Sequence, residues 1–121
     1  MQLSTSTPTV RLYAHCLNPT SQHYKQGGVV MYGMNVGDKG ASVSLQPRLN
    51  ETQILEMILQ PPEGDLQSSS VMLNGVLVEL TSDNDLPSLD AHPSDVLGAI
   101  HMPAQSMGFW LLPNAKTQAC H

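Results

Sequence analysis

Two cysteines near opposite ends of the chain are the residues best placed to do chemistry. Cys16 follows His15, and Cys120 precedes His121. Two thiolates and two imidazoles could bind a tetrahedral zinc ion, but neighbouring strand residues point to opposite faces, and this spacing is unlike that of structural zinc sites. A disulfide is therefore the favoured interpretation, and a metal site is disfavoured. In the loop-entropy model, a bridge that closes nearly the whole chain stabilises it by about 4 to 5 kcal/mol.

Acidic and hydroxyl side chains are further candidates for catalysis. Glycoside hydrolysis, for example, requires two carboxyl groups around one sugar. Only Glu56 and Glu79 lie in apolar, strand-like segments, and solvent-facing positions of half-buried strands explain both. The aspartates of one polar segment are too dispersed for a calcium loop: Asp83, Asp85, Asp90 and Asp95. Ser68-Ser69-Ser70 has no G-x-S-x-G context, and Phe109-Trp110 is more typical of a core than of a sugar platform. The sequence thus predicts no catalytic residue, no metal and no cofactor.

Charge and composition exclude two classes of partner. The chain has 121 residues, a net charge of -5 and five cations. Those cations are scattered: Arg11, Lys25, Lys39, Arg48 and Lys116. Without a basic stripe, nucleic-acid binding is not expected. Hydrophobic residues make up 40% of the chain but occur in short segments, so no membrane span is expected either.

Two features point to an oxidising compartment. The cysteines favour a disulfide, and Asn50-Glu51-Thr52 is an N-glycosylation sequon. The segment from Met1 to Pro8 has neither the basic nor the apolar region of a signal peptide. We therefore expect that an upstream part of a longer protein is missing.

Apolar and polar residues alternate between turns rich in the nine glycines and nine prolines, which predicts short strands. The predicted strands are Val10–Cys16, 29–36, 41–45, 108–112 and 116–120, with two more flanking Asn74-Gly75 in 70–80. Asn74 and Gly75 suit a type I′ hairpin turn, and a second hairpin turn is predicted at 37–40. Segment 53–60 fits a helical turn or a strand, although its length and Pro61-Pro62 favour a strand. Residues 81–98 are predicted to form a long surface loop.

About seven short antiparallel strands with a bridge between the first and the last predict an all-β fold, either a two-sheet β-sandwich or a closed barrel. We favour the sandwich, with its terminal strands joined by the disulfide. Residues 1–9 are predicted to be a linker or disordered, and 10–121 one domain.

Five fragments of the sequence carry a resemblance to a known family. They are Arg11-Leu12-Tyr13-Ala14-His15-Cys16, His23-Tyr24-Lys25-Gln26-Gly27, Ser70-Val71-Met72-Leu73-Asn74-Gly75, Asp85-Leu86-Pro87, and Gly108-Phe109 through Asn114-Ala115-Lys116 to Ala119-Cys120. In this order they resemble the C-terminal region of heparanases across residues 10–121. Heparanases are similar to family 79 glycoside hydrolases, which cut heparan sulfate in a TIM barrel with two glutamates. The resemblance implies a β-sandwich that packs on that barrel, with Cys16 and Cys120 as disulfide partners.

The chain also departs from the family. No segment corresponds to the barrel, so neither catalytic glutamate has a counterpart, and the basic heparin-binding clusters are absent. The family's sandwich borrows a strand from the N-terminal part of the protein, and the family includes an inactive paralogue. We therefore expect a non-catalytic sandwich of a lysosomal or extracellular heparanase-like protein, which meets heparan sulfate only through the barrel. The alternative is a free-standing extracellular interaction or carbohydrate-binding module.

Overall fold

The computed structural model describes residues 2–3, 8–45, 53–94 and 98–120. Within these residues the regular structure is almost entirely β-strand. The strands are β1 (Gln2–Leu3), β2 (Val10–Cys16), β3 (Val29–Asn35), β4 (Ala41–Ser44), β5 (Leu55–Gln60), β6 (Met72–Leu73), β7 (Val76–Leu77), β8 (His92–Pro93), β9 (Ala99–Met102) and β10 (Ser106–Leu112). Two 3-10 turns, Pro62–Gly64 and Gln118–Cys120, complete the elements of the described chain. The predicted all-β class is confirmed.

The strands form two antiparallel sheets in the described part of the chain. The large sheet has the order β1-β2-β3-β10-β5-β6-β7, with β8 paired to β5, and the small sheet consists of β4 and β9. Strand β10 lies at the centre of the large sheet, where Trp110 is paired with Met31 of β3 and Glu56 of β5. The two sheets form the predicted β-sandwich, with unequal layers.

The core lies between the two sheets, and strands β2, β9 and β10 each contribute alternate residues to it. Val10 and Leu12 of β2, Trp110 of β10, and Ile100 and Met102 of β9 are all buried. Burial of one such large side chain contributes about 1.5 to 3 kcal/mol. The indole of Trp110 also requires the neighbouring glycine of its own strand, because a Cβ at Gly108 would overlap the indole ring.

Asn35, at the end of β3, ties the two sheets together. Its Oδ1 accepts hydrogen bonds from the Thr9 hydroxyl and from the Gly37 N–H, each at 3.0 Å. Its Nδ2 donates to the carbonyl oxygens of Lys39 at 2.9 Å, Met102 at 3.2 Å and Pro103 at 3.3 Å. The residue is only 1% exposed. One amide therefore links the end of β3, the chain leading to β4 and the turn between β9 and β10.

The disulfide is confirmed and joins the two ends of the domain. Cys16, the last residue of β2, is bonded to Cys120, and their Cα atoms lie 5.3 Å apart, a normal distance for a bridge. The backbone supports the same junction, because the Gly27 N–H donates to the Cys120 carbonyl at 3.2 Å and the Thr117 N–H donates to the Gly27 carbonyl at 2.9 Å.

Several local predictions differ from the structure. The hairpin turn predicted at 37–40 is wrong, because β4 does not return along β3 but pairs with β9 in the other sheet. The strand predicted at 116–120 is also wrong: Lys116 has a φ of 52° and Gln118–Cys120 is a 3-10 turn. Strand β9 was not predicted. Strand β1 pairs with β2 at the end of the large sheet.

The structure also resolves segment 53–60, the predicted Asn74-Gly75 turn and the described part of the predicted loop. Segment 53–60, left between helix and strand, contains strand β5. Asn74 and Gly75 connect β6 to β7 with φ values of 50° and 82°, and Met72 faces Leu77 across this turn. Both φ values are positive, as a type I′ turn requires. Most of the predicted loop is irregular, with β8 as a short exception.

Candidate functional site

The side of the large sheet that faces away from the core is a largely apolar surface. Directly paired residues share a face of a sheet, and alternate residues of a strand share a face. The pairings therefore give three rows opposite Trp110: His15, Val30, Leu111 and Leu55; Tyr13, Tyr32, Phe109 and Met57; and Arg11, Met34, Met107, Leu59 and Leu73. We call these thirteen residues the outer face. Eleven of them are apolar or aromatic, and the other two, Arg11 and His15, lie on β2.

The most exposed apolar side chains of this surface lie on the adjacent strands β3 and β10. Met107 is 46% exposed, and Met34 and Phe109 are each 39% exposed. On the four-strand lattice the outer face measures roughly 20 Å by 20 Å, or about 400 Å². This value is a footprint on the sheet rather than an exposed area, because Leu111 within it is only 9% exposed. Contiguous exposed apolar patches on soluble proteins often mark interaction sites.

The aromatic side chains of the outer face stack on one another across the strands. The ring centroids of Tyr13 and Tyr32 are 5.5 Å apart with planes 18° from parallel. The Tyr32 ring also stacks on His15 at 5.6 Å and on Phe109 at 6.2 Å. Rings arranged in this way direct their faces at each other and their edges outward. A sugar-stacking platform requires the opposite arrangement, with ring faces open to the ligand.

An apolar cleft of about 330 Å³ opens at one end of the outer face. Met34, Leu59 and Met107 line it and belong to the outer face as well. Its far wall is the segment after β5, where Leu66 is 67% exposed and Val71 is 38% exposed. The cleft thus extends the apolar surface around the end of the sheet.

Two smaller clefts lie elsewhere. One of about 220 Å³ separates the β6–β7 hairpin from residues 87–92. Another, of about 200 Å³, is more polar and includes Lys25, whose Nζ donates to Asn114 Oδ1 at 3.0 Å. In the first of these clefts the Ser88 hydroxyl donates to Asp90 Oδ2 at 2.9 Å, and His92 lines the same cleft, but all three residues are exposed.

The residues considered for catalysis are dispersed. Glu56 lies half-buried in β5 opposite Trp110 and His92, whereas Glu79 is exposed after β7. Neither lines any of the three clefts. Trp110 is buried in the core while Phe109 lies on the outer face, so the two cannot form one platform.

Other polar candidates also lack a site around them. The Ser42 hydroxyl lies 3.3 Å from His101 Nδ1, but both residues are exposed on the small sheet. Asp83, Asp85 and Asp90 are exposed in their loop, whereas Asp95 and the sequon residue Asn50 lie outside the described residues. Across the described ranges, no three His, Cys, Asp or Glu side chains are grouped to hold a metal ion. No helix there is long and apolar enough to cross a membrane.

Two asparagines have roles that sequence reasoning missed. The buried amide of Asn35 joins the sheets, and the Asn74 amide extends beyond its turn to the backbone of β5. The Asn-Gly pair signalled the turn but not this contact. The role of Asn35 between the sheets was missed because the partners that establish it, Thr9, Met102 and Pro103, are distant in sequence.

Comparison with known proteins agrees with the fold. No protein-family profile matches the chain. Individual proteins do. The chain is 32% identical to heparanase of Bos taurus over 111 residues and 33% identical to heparanase of Mus musculus over 113 residues. It is 31% identical to a hyaluronoglucuronidase of Hirudo nipponia over 124 residues.

These alignments cover 91%, 92% and 99% of the chain, but only 20%, 21% and 24% of the three relatives. The structure defines the molecule as a two-sheet β-sandwich with a disulfide between its ends. By its sequence, the chain belongs to the heparanase family and corresponds to the C-terminal part of those proteins. It spans about a fifth of their length.

Proposed function

We propose that this chain is the non-catalytic C-terminal sandwich of a heparanase-like protein, and that its outer face packs on a TIM-barrel catalytic domain of the same polypeptide. In this proposal the barrel carries the glycoside-hydrolase chemistry and binds heparan sulfate, and the sandwich supports the barrel. The protein acts in lysosomes or outside the cell, where the Cys16–Cys120 bridge persists.

The apolar outer face is the observation that carries this proposal. Its footprint of about 400 Å² is smaller than the roughly 800 Å² of accessible surface that each partner contributes to a standard interface. It therefore suits the apolar centre of such an interface, and polar residues around it would supply the rim. The relatives support a partner in cis, because the chain spans only about a fifth of their length.

A free-standing carbohydrate-binding module is less well supported. Sugar binding on a flat sheet relies on open aromatic faces, and the Tyr13, Tyr32 and Phe109 rings cover one another. With five cations in the whole chain, binding to a sulfated polymer would also have little electrostatic support.

The first test is the transcript upstream of Met1. We expect it to continue in frame into β/α repeats of a barrel. An upstream stop codon, with translation starting at Met1, would contradict the proposal.

The second test measures association between that upstream polypeptide and this chain, produced separately. Phe109→Arg places a charge in the centre of the outer face, whereas Ser42→Arg places the same charge on the exposed side of the small sheet. We expect the parent and Ser42→Arg to co-elute with the barrel and Phe109→Arg to elute alone. Circular dichroism checks that both variants fold. Equal binding of a folded Phe109→Arg variant would refute this orientation of the domain.

A further inference from the structure

The turn residue Asn74 makes three hydrogen bonds to a neighbouring strand. Strands β5 and β6 pair through Leu59 and Leu73, and the next pair along the ladder would be Ile58 and Asn74. The Asn74 N–H donates to the Ile58 carbonyl at 2.8 Å, as in an ordinary ladder. The chain turns at Asn74, however, so its side chain replaces the backbone: Oδ1 accepts the Ile58 N–H at 2.8 Å, and Nδ2 donates to the Glu56 carbonyl at 3.0 Å.

Asn74 also precedes a glycine, which is the sequence context in which asparagine deamidates most readily. Its neighbour Gly75 has no side chain to shield its backbone nitrogen, is exposed, and has open space where a Cβ would lie. In flexible Asn-Gly segments, the glycine nitrogen attacks the Asn Cγ. A C–N bond forms, the Cγ–Nδ2 bond breaks, and ammonia leaves with the amide proton. Water then opens the cyclic imide to aspartate or isoaspartate.

The hydrogen bonds to β5 oppose this reaction in the folded chain. The attack requires the carboxamide to rotate towards Gly75, and that rotation breaks the bonds from Oδ1 and Nδ2 to β5. The reaction therefore needs the β6–β7 hairpin to leave β5. Such local opening is much rarer than the motion of a free peptide.

The product cannot restore the lost contacts. A carboxylate only accepts hydrogen bonds, so the oxygen that replaces Nδ2 would face the Glu56 carbonyl oxygen and repel it. Isoaspartate also inserts a methylene into the main chain, which the two-residue turn does not accommodate.

From this geometry we propose that Asn74 is a deamidation site controlled by folding: it is protected while the β6–β7 hairpin is docked on β5, it is modified when the hairpin opens, and its modification prevents normal redocking. The modification would accumulate in chains that have opened and would weaken that edge of the large sheet.

The first experiment compares deamidation rates in three samples at neutral pH: the folded chain, the chain in denaturant, and a free peptide of residues 70–80. Digestion and mass spectrometry measure aspartate and isoaspartate at position 74. We expect the folded chain to react at least about tenfold more slowly than the peptide, because three hydrogen bonds must open first. The denatured chain should match the peptide. Equal rates in the folded chain and the peptide would overturn the proposal.

The second experiment measures the consequence of modification. Anion exchange separates the deamidated chain by its extra negative charge, and thermal melting compares it with the unmodified chain. Asn74→Asp provides one product directly, and Asn84→Asp adds the same charge at an exposed loop position. We expect lower melting temperatures for the deamidated chain and for Asn74→Asp, and no change for Asn84→Asp. Equal melting of Asn74→Asp and Asn84→Asp would also overturn the proposal.

Discussion

Replacement of Asn35 tests how the two sheets are held together. In Asn35→Ala the half-buried Gly37 N–H loses its acceptor, and the carbonyls of Lys39, Met102 and Pro103 lose a shared donor. An unsatisfied buried donor costs about 1 to 3 kcal/mol, and each net hydrogen bond contributes about 0.5 to 1.5 kcal/mol. Because several of the bonds are only partly buried, we expect a loss of about 3 kcal/mol of unfolding free energy. For a domain of this size, that corresponds to a decrease of roughly 10 to 15 °C in melting temperature.

Asn35→Asp sharpens the test because it changes one atom and keeps the shape. The oxygen that replaces Nδ2 would face three carbonyl oxygens that now lie 2.9, 3.2 and 3.3 Å from the donor. Burial and these oxygens should raise the pKa of the introduced carboxyl above its unfolded value. A raised folded pKa favours the folded state at low pH, and the advantage is lost as pH rises through that pKa. We therefore expect Asn35→Asp to be least stable at neutral pH and to recover part of its stability in acid.

Urea unfolding at several pH values measures both effects. Asn114→Ala is the control, because Asn114 is exposed and makes one surface contact with Lys25, so its loss should stay below about 1 kcal/mol. The reasoning would be refuted if Asn35→Ala were no less stable than Asn114→Ala, or if Asn35→Asp matched the parent at neutral pH.

Four further predictions follow from the structure. Cys16→Ser should lower stability by about 2 to 5 kcal/mol in oxidising buffer, and parent-like urea unfolding would contradict this. Gly108→Ala should cost about 1 to 3 kcal/mol because its Cβ meets the Trp110 ring. Gly40→Ala should melt near the parent temperature, because its Cβ would lie nearest to the exposed His101 ring and at an ordinary 3.8 Å from the Met102 carbonyl oxygen. The chain alone should not hydrolyse heparan sulfate and should pass through a heparin column at physiological salt, so activity or retention would count against the reasoning. Produced without the barrel that we propose, the chain should dimerise or aggregate through its outer face and open strand edges, and a stable monomer in size-exclusion chromatography would favour the free-standing module.

The sequence predicted those parts of the fold that depend on local chemistry. Alternation located β2 and β3, the Asn-Gly pair located the β6–β7 turn, and the two cysteines indicated the bridge between the ends. Each signal lies in the residues that form the feature. Strand pairing, by contrast, is non-local. The sequence of two strands joined by a turn looks the same whether the second strand pairs with the first or crosses to another sheet. For this reason the hairpin turn predicted at 37–40 is wrong.

Short elements escaped prediction for a related reason. Strand β9 has four residues, with Gly98 before it and Pro103 after it, and this is too short for alternation to be distinguished from a loop. It forms because it pairs with β4, and the paired residues Val43 and Ile100 are 57 positions apart (100 − 43) in the sequence. The hydrogen bonds of Asn35 depend on the same pairing of β4 with β9, because the Met102 carbonyl of β9 accepts one of them. Neither feature has a local signature.

The sequence alone does not reveal the outer face, because its apolar residues also fit a strand that is buried on both sides. The central strand β10 reads Ser-Met-Gly-Phe-Trp-Leu-Leu, a nearly continuous apolar run that predicts a strand buried on both sides. The small sheet covers only the side of Trp110, and Phe109 on the other side remains 39% exposed. On β2, nearer the edge, the same face carries the polar groups of Arg11, Tyr13 and His15. The apolar character therefore rises towards the centre of the large sheet on both sides, although only one side has a cover within the described chain. The sequence of β10 thus suits burial on both faces, but one face is open in the described chain. For this reason we expect a second layer on the outer face, and we propose that this layer is the barrel.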